Sequence, residues 1–269
     1  MGILQSLYDI VAIGVDSVGG GKIMPFLTPE KYVKARQMYS YDSEGCTFNI
    51  CQTRNLQHVG SYKGLFGSVV PKRVASGINL RRFELICHEQ FTDFSNAVRQ
   101  GIVSTIHIEN LKSICSAIVY WKMSSQGGRA TRLSLNMLAK WSNDTETKLV
   151  GAFEQKNMSL FRIGGVRIPT ATAFMRFLFP EEFGIMDSRV VGNYTQPKGI
   201  TDLNIRPNDG YIKDSISNVQ KYSTEYIPFL KAEADWLNDK GTTFLDMDHR
   251  GNPINSRFRV CDVEMALFV

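Results

Sequence analysis

The residues best placed to do chemistry lie in one stretch, residues 160–194, LFRIGGVRIPTATAFMRFLFPEEFGIMDSRVVGNY. It reads as a helix end, a tight turn on Gly164 and Gly165, and a new helix opening with Pro169 at its first position. A turn that exposes backbone N–H groups beside a helix N-terminus is suited to cradle a phosphate. The new helix carries Ala171, Phe174, Met175 and Leu178 on its inward side and closes before Pro180. Asp187 follows, and then Ser188, Arg189 and a further apolar helical start. A carboxylate placed there can stabilise positive charge or activate a water. It can also simply cap the next helix.

The elements that must position this stretch are mostly helical. Apolar residues recur at helical spacing over 84–99, 109–123, 134–141, 147–160, 169–179, 215–237 and 263–269. Before about residue 80 the chain is rich in glycine and strand-type residues, with short candidate strands at 46–51, 62–66 and 68–70. One amphipathic helix interrupts them, with Thr28 as N-cap, Pro29 at its first position, and Tyr32, Ala35, Met38 and Tyr39 on one side. The expected fold is therefore mainly α, a helical body over 83–269 with a smaller mixed α/β N-terminal region over 1–82.

Charge sharpens the division. The whole chain carries 31 Lys and Arg against 26 Asp and Glu, a formal +5. Between residues 45 and 83 there is no acid, yet Arg54, Lys63, Lys72, Arg73, Arg81 and Arg82 all lie there, so the rest sums to −1. Such a stretch is either a solvated strand face or a surface that meets an anionic polymer backbone, and the lack of any acid favours the second.

Other chemistries fall away. The glycines 19 to 21 with Lys22 miss the phosphate-loop pattern, which needs glycine where Asp16 stands and Ser or Thr where Ile23 stands. The run from Asp246 through Asp248 resembles a calcium loop, but Arg250 and Arg257 occupy positions that need oxygen ligands. The five cysteines, Cys46, Cys51, Cys87, Cys115 and Cys261, show no CxxC spacing and read as reduced thiols of an intracellular protein. His58, His88, His107 and His249 show no metal-ligand spacing. No run of eighteen apolar residues suggests a membrane span, and no secretory signal is expected.

The stretch from the hairpin to the aspartate resembles the helix-hairpin-helix superfamily of base-excision DNA glycosylases. In that family a Leu-Pro-Gly-Val-Gly hairpin, a Thr-Ala helix start and an apolar helix lead to an apolar–apolar–Asp step. Here Ile163, Gly164, Gly165, Val166 and Arg167 stand for the hairpin, Thr170 and Ala171 for the helix start, and Phe183 to Asp187 for the aspartate segment. The resemblance extends over about the last two-thirds of the chain, through Tyr120, Trp121 and Lys122 and the terminal run 262–267, as in 8-oxoguanine-glycosylase-like bacterial members.

The resemblance implies a glycosylase body that flips a damaged or modified base out of double-stranded DNA and cleaves its N-glycosidic bond, leaving an abasic site. Asp187 would be the catalytic carboxylate, since bond cleavage builds positive charge on the sugar. Bifunctional relatives place a Schiff-base lysine where this chain has Pro169, which implies a monofunctional enzyme using water. Gly164, Gly165, Val166, Arg167 and Thr170 would grip the DNA backbone, together with Lys72, Arg73, Arg81, Arg82 and Arg132. Arg167 replaces a hairpin glycine and so alters or adds a phosphate contact.

Trp121, Lys122, Gln126 and Arg129 would line the base pocket. A tryptophan at helical spacing is also an ordinary core residue. Lys122 is either a solvated or phosphate-facing cation or a Schiff-base amine reaching in from another helix. Asp262 is a second carboxylate to test, though N-capping explains it more simply. No metal or cofactor is called for. The expected setting is a monomer in the bacterial cytoplasm, associated with the nucleoid and with no membrane contact, in repair or in attack on modified phage DNA. The alternative is a helix-hairpin-helix protein that binds DNA without cutting it.

Overall fold

A computed structural model describes residues 25–39, 80–123, 128–191, 207–208 and 211–269. Over these residues the fold is mainly helical. The elements are α1 (Pro29–Met38), α2 (Leu80–Gln100), α3 (Thr105–Met123), α4 (Gly128–Ala139), α5 (Asn143–Glu154) and α6 (Ile168–Leu178), then α7 (Ile216–Lys221), α8 (Ile227–Asp239) and α9 (Val260–Phe268). Two strand pairs complete them: the two-residue β1 (Pro207–Asn208) with β2 (Tyr211–Ile212), and the antiparallel hairpin β3 (Thr243–Met247) with β4 (Pro253–Arg257). The candidate strands at 46–51, 62–66 and 68–70 lie outside the described residues.

Helix α1 begins as its sequence dictates. The Thr28 hydroxyl accepts the Lys31 N–H, and Pro29 occupies the first turn, where an N–H would have no partner. Tyr32 and Tyr39 are buried, but Met38 is exposed and Arg36 takes its place inside. The helix docks on α9 and β3, so this part of the N-terminal region shares the core of the helical body. The Tyr32 hydroxyl and the Phe26 N–H both donate to Glu233 on α8, which ties the docking at a second point.

The centre of the body is α6. Every residue from Thr170 to Leu178 is buried, not only the apolar side that periodicity picks out. Phe161 stacks on Phe174 with centroids 5.0 Å apart, and Phe177 meets Phe83 and Trp121 edge-on. A helix surrounded on all sides carries a polar residue only if that residue is matched. Arg176 is, by Glu84 on α2.

Several boundaries differ from the sequence expectation for local reasons. Helices α2 and α3 start a turn earlier than their apolar pattern suggests. The first turn of α3, Thr105–Ile108, leaves Ile106 exposed and is held by Ser104, whose N–H donates to His107 Nδ1 and whose hydroxyl accepts the His107 N–H. Helix α5 starts at a reciprocal Ser142–Thr145 capping box and ends at Glu154, because Lys156 turns to φ 49° and Asn157 caps a separate 3-10 turn, Met158–Phe161. The long helical pattern at 215–237 is broken by a π-turn, Tyr222–Tyr226, in which the Ile227 N–H reaches Tyr222 O. The next residue, Pro228, has no N–H to continue α-type bonding at that point.

The β3–β4 hairpin, like the short β1–β2 pair, was missed by sequence periodicity. The would-be calcium loop is its turn. Asp248 accepts the N–H groups of Arg250 and Asn252 and the Asn252 side-chain amide, while Gly251 takes φ 87°. The carboxylate thus holds the turn together.

Candidate functional site

The turn before α6 is built on two left-handed glycines, Gly164 at φ 56° and Gly165 at φ 88°, closed by the Val166 N–H bonding to Ile163 O at 2.8 Å. Both central residues at positive φ make this a tight hairpin that only glycine adopts without strain. The two glycines do different work. A Cβ on Gly164 would sit 2.5 Å from Met137 Cα, so its bareness lets the turn pack against α4. A Cβ on Gly165 would meet nothing within 4 Å, and that side of the turn is open.

Of the residues expected to grip a backbone, Gly165, Arg167 and Arg132 are exposed. Val166 and Thr170 are buried, and the Thr170 N–H is already bonded to Arg167 O, so these two build the turn and do not face a ligand. Lys72 and Arg73 lie outside the described residues. Arg82 is half-buried at the start of α2. Arg81 is taken: its Nε donates to Asp246 Oδ2 at 2.8 Å, and its Nη2 donates to the same oxygen and to Ser256. Arg81, expected to contact DNA, already uses its guanidinium to fasten α2 to the β3–β4 hairpin.

The pocket residues also sort differently from expectation. Trp121 is only 6% exposed and lies edge-on to Phe177 at 4.7 Å, so it belongs to the core and is not an open stacking face. Gln126 and the Arg129 side chain lie outside the described residues. Lys122 gives the largest change. Its side chain is neither solvated nor turned to the surface: Nζ donates to Asp187 Oδ2 at 2.6 Å, with the lysine 12% and the aspartate 17% exposed. The amine comes from the last turn of α3, and 65 residues separate it from its partner.

Asp187 caps the turn that follows it and also pairs with Lys122. Oδ1 accepts the Arg189 N–H at 3.0 Å and caps the following turn, while Oδ2 takes the Lys122 ammonium. Burial pushes this carboxyl up, but the Lys122 ammonium and the hydrogen bonds outweigh burial and hold it below the ordinary carboxylate value. The result is an ionised carboxylate at a partly open position.

The segment that presents Asp187 is held by three hydrogen bonds from residues that sequence reasoning missed. The Met186 N–H donates to Thr172 Oγ1 on α6 at 3.2 Å. The Tyr222 hydroxyl donates to Gly184 O at 2.9 Å, and the Tyr226 hydroxyl to Ile185 O at 2.6 Å. Both tyrosines come from the π-turn, which explains why that break in the helix sits where it does. Gly184 is needed beneath them, since a Cβ there would fall 2.9 Å from Glu264 Cβ and 2.7 Å from Leu230. The only sequence signal for these anchors was the pair of aromatics four apart before Pro228.

Asp262 is a structural cap. It accepts from the Arg259 backbone and guanidinium and from Arg36, and it is fully buried. Cys87, Cys115 and Cys261 are buried free thiols. Among the described residues, no three His, Cys, Asp or Glu side chains come together as a metal site, and no helix is long and apolar enough to cross a membrane. No protein-family model matches the chain, and no curated protein and no solved structure is similar to it.

Proposed function

We propose that the chain is a DNA N-glycosylase of the helix-hairpin-helix type. It would remove a flipped-out damaged or modified base from double-stranded DNA and leave an abasic site, in repair or against modified phage genomes. The observation that carries this reading is the Lys122–Asp187 pair, a fixed, ionised carboxylate at a partly open position downstream of a Gly-Gly turn with one free side. In the hydrolytic mechanism the bond between C1′ and the base nitrogen breaks and the base leaves with the bonding electrons. Asp187 stabilises the positive charge on the sugar and takes the proton from the water that adds to C1′. Arg167, Arg132 and the open face of Gly165 would hold the backbone on either side.

A second version of the chemistry is favoured by one contact. Lys122 places an amine 2.6 Å from Asp187, in a chain whose α6 offers Pro169 where related enzymes carry their lysine. Once it hands a proton to a carboxylate, that amine can itself attack C1′, expel the base and form a Schiff base with the opened sugar.

The deciding experiment combines a substitution with a trap. Native protein is expected to release base from modified DNA. Asp187→Asn should lose at least about a hundredfold in rate, as expected for removal of a positioned acid–base group, while binding the same DNA. Borohydride should trap no adduct if water attacks, and a Lys122-linked adduct if the amine does. Failure to make abasic sites in any genomic DNA, modified phage DNA included, would leave a DNA-binding protein without catalysis.

A further inference from the structure

Glu264 lies on α9, the helix beneath the aspartate segment, and is 2% exposed. Its carboxyl accepts the Ile185 N–H, two residues before Asp187, and its Cβ and Cγ fill the space left by the missing Cβ of Gly184. Its second oxygen, Oε2, is buried and has no hydrogen-bond partner among the described residues. A buried carboxylate oxygen without a donor is costly, and a neutral carboxyl in the same place is much less so. The charged groups that act on it are Lys122 from α3, Arg176 from α6 and Asp187 from the segment above, while α1 and α8, which also pack on α9, present none to it. Tyr222 and Tyr226 of the π-turn complete its surroundings.

We propose that Glu264 is a positioning residue that keeps its proton while the site works, so that Asp187 is the one ionised carboxylate matched to Lys122. Geometry makes this useful. Lys122 feels two carboxyl groups, and its ammonium can hold Asp187 in place only if the second group does not compete for it. Burial drives the Glu264 carboxyl up to about 8, against the pull of Lys122 and Arg176. Above that pH the group loses its proton, a second anion enters beside Asp187, and the lysine is drawn between the two. Glu264 therefore acts through the Lys122–Asp187 pair and touches no substrate.

The consequence for rate rests on the glycosylase reading, but the protonation state does not, so the two are tested separately. Carboxyl-carbon NMR of the full chain, without DNA, should show Glu264 titrating near 8 and the Asp187 signal moving in a second step at the same pH. A Glu264 midpoint at the ordinary value of 4.5 overturns the proposal whatever the protein does to DNA. With a cleavable modified DNA, the ratio of the base-release rate above pH 8 to that at neutral pH should fall in the native chain and stay level in Glu264→Gln. A purely structural glutamate would leave that ratio the same in both proteins, and this outcome would also refute the role. Absence of base release together with the high NMR midpoint would count against the glycosylase reading alone.

Discussion

Among the described residues, two groups of buried charges are built on opposite terms. The first joins four helices. Glu84 on α2 accepts from Arg176 on α6 and from Arg259, whose Nη1 is 2.7 Å away, and Arg259 also grips Asp262 with Nε at 2.8 Å and Nη2 at 3.1 Å. Arg36 of α1 closes the chain on Asp262 at 3.0 Å. All five side chains are nearly or completely buried, and each carboxylate has at least two charged partners. The second group is Lys122, Asp187 and Glu264. Its ion pair is partly open, and Glu264 keeps an oxygen with no partner among the described residues. Carboxylates shared between guanidinium groups lock elements together, whereas a carboxylate oxygen left without a donor keeps its charge costly and dependent on pH. The contrast separates the carboxylates that hold the fold from the carboxylate that could act.

The largest effect should come from breaking the group around Arg259. Arg259→Leu removes the partner that Glu84 and Asp262 share and strands part of their charge in the core. A loss of about 3–5 kcal/mol is expected for such a break, read as a shift of the urea midpoint at neutral pH. A loss below about 1 kcal/mol, the scale of an exposed pair, would mean that the network is not what fastens α1 and α9 to α2 and α6. Asp187→Asn should cost less stability than Arg259→Leu, because its lysine keeps a route to water.

Acid and base should pull the two groups apart. Burial pushes the Asp262 carboxyl up, but Arg259 and Arg36 outweigh it and hold the group far below its ordinary 3.8, so its stabilising contribution is lost only in strong acid. The sign for Glu264 is the reverse. Its folded value near 8 lies above the ordinary 4.5, so between those limits the folded state keeps a proton that the unfolded chain releases. Stability should therefore fall as pH rises from 4.5 to about 8, by an amount on the order of a few kcal/mol. Glu264→Gln should flatten that slope and be the more stable protein at alkaline pH. Urea melts at a series of pH values decide it, and parallel slopes in the two proteins would remove Glu264 from the Lys122–Asp187 group.

The same contrast explains what could be read in the sequence. Local features were legible. Thr28 and Pro29 announce α1, and Gly164 and Gly165 announce the turn, because caps and tight turns depend on a few adjacent residues. Asp187 was legible as a candidate because it follows that turn at a helix start. The Lys122–Asp187 contact was not, since its two halves lie 65 residues apart and nothing local to either reports the other. Glu264 did leave a trace, as the second acid after Asp262 in the otherwise apolar run 260–267, at a position where an apolar residue would be the default. The partner of Arg81 was hidden for a related reason: an acid-free stretch of chain is not acid-free in space, and Asp246 arrives from a hairpin 165 residues away.

Arg81 supplies the smallest and most selective test of the comparison, because it is a cation of the proposed DNA-binding stretch that the fold has already used. If binding depends on free cations, Arg81→Gln should leave the salt dependence of DNA affinity unchanged, and its effect should appear only in stability. The loss there should be about 1 kcal/mol, as for a part-exposed ion pair. Arg167→Gln, an exposed cation at the start of α6, should weaken binding to all sequences alike and reduce the salt slope by about one. Fluorescence anisotropy over a salt series separates the two. If Arg81→Gln lowered the slope as much as Arg167→Gln, its pairing with Asp246 would have to open on DNA. The boundary between cations that hold the fold and cations that hold the ligand would then be set by the complex.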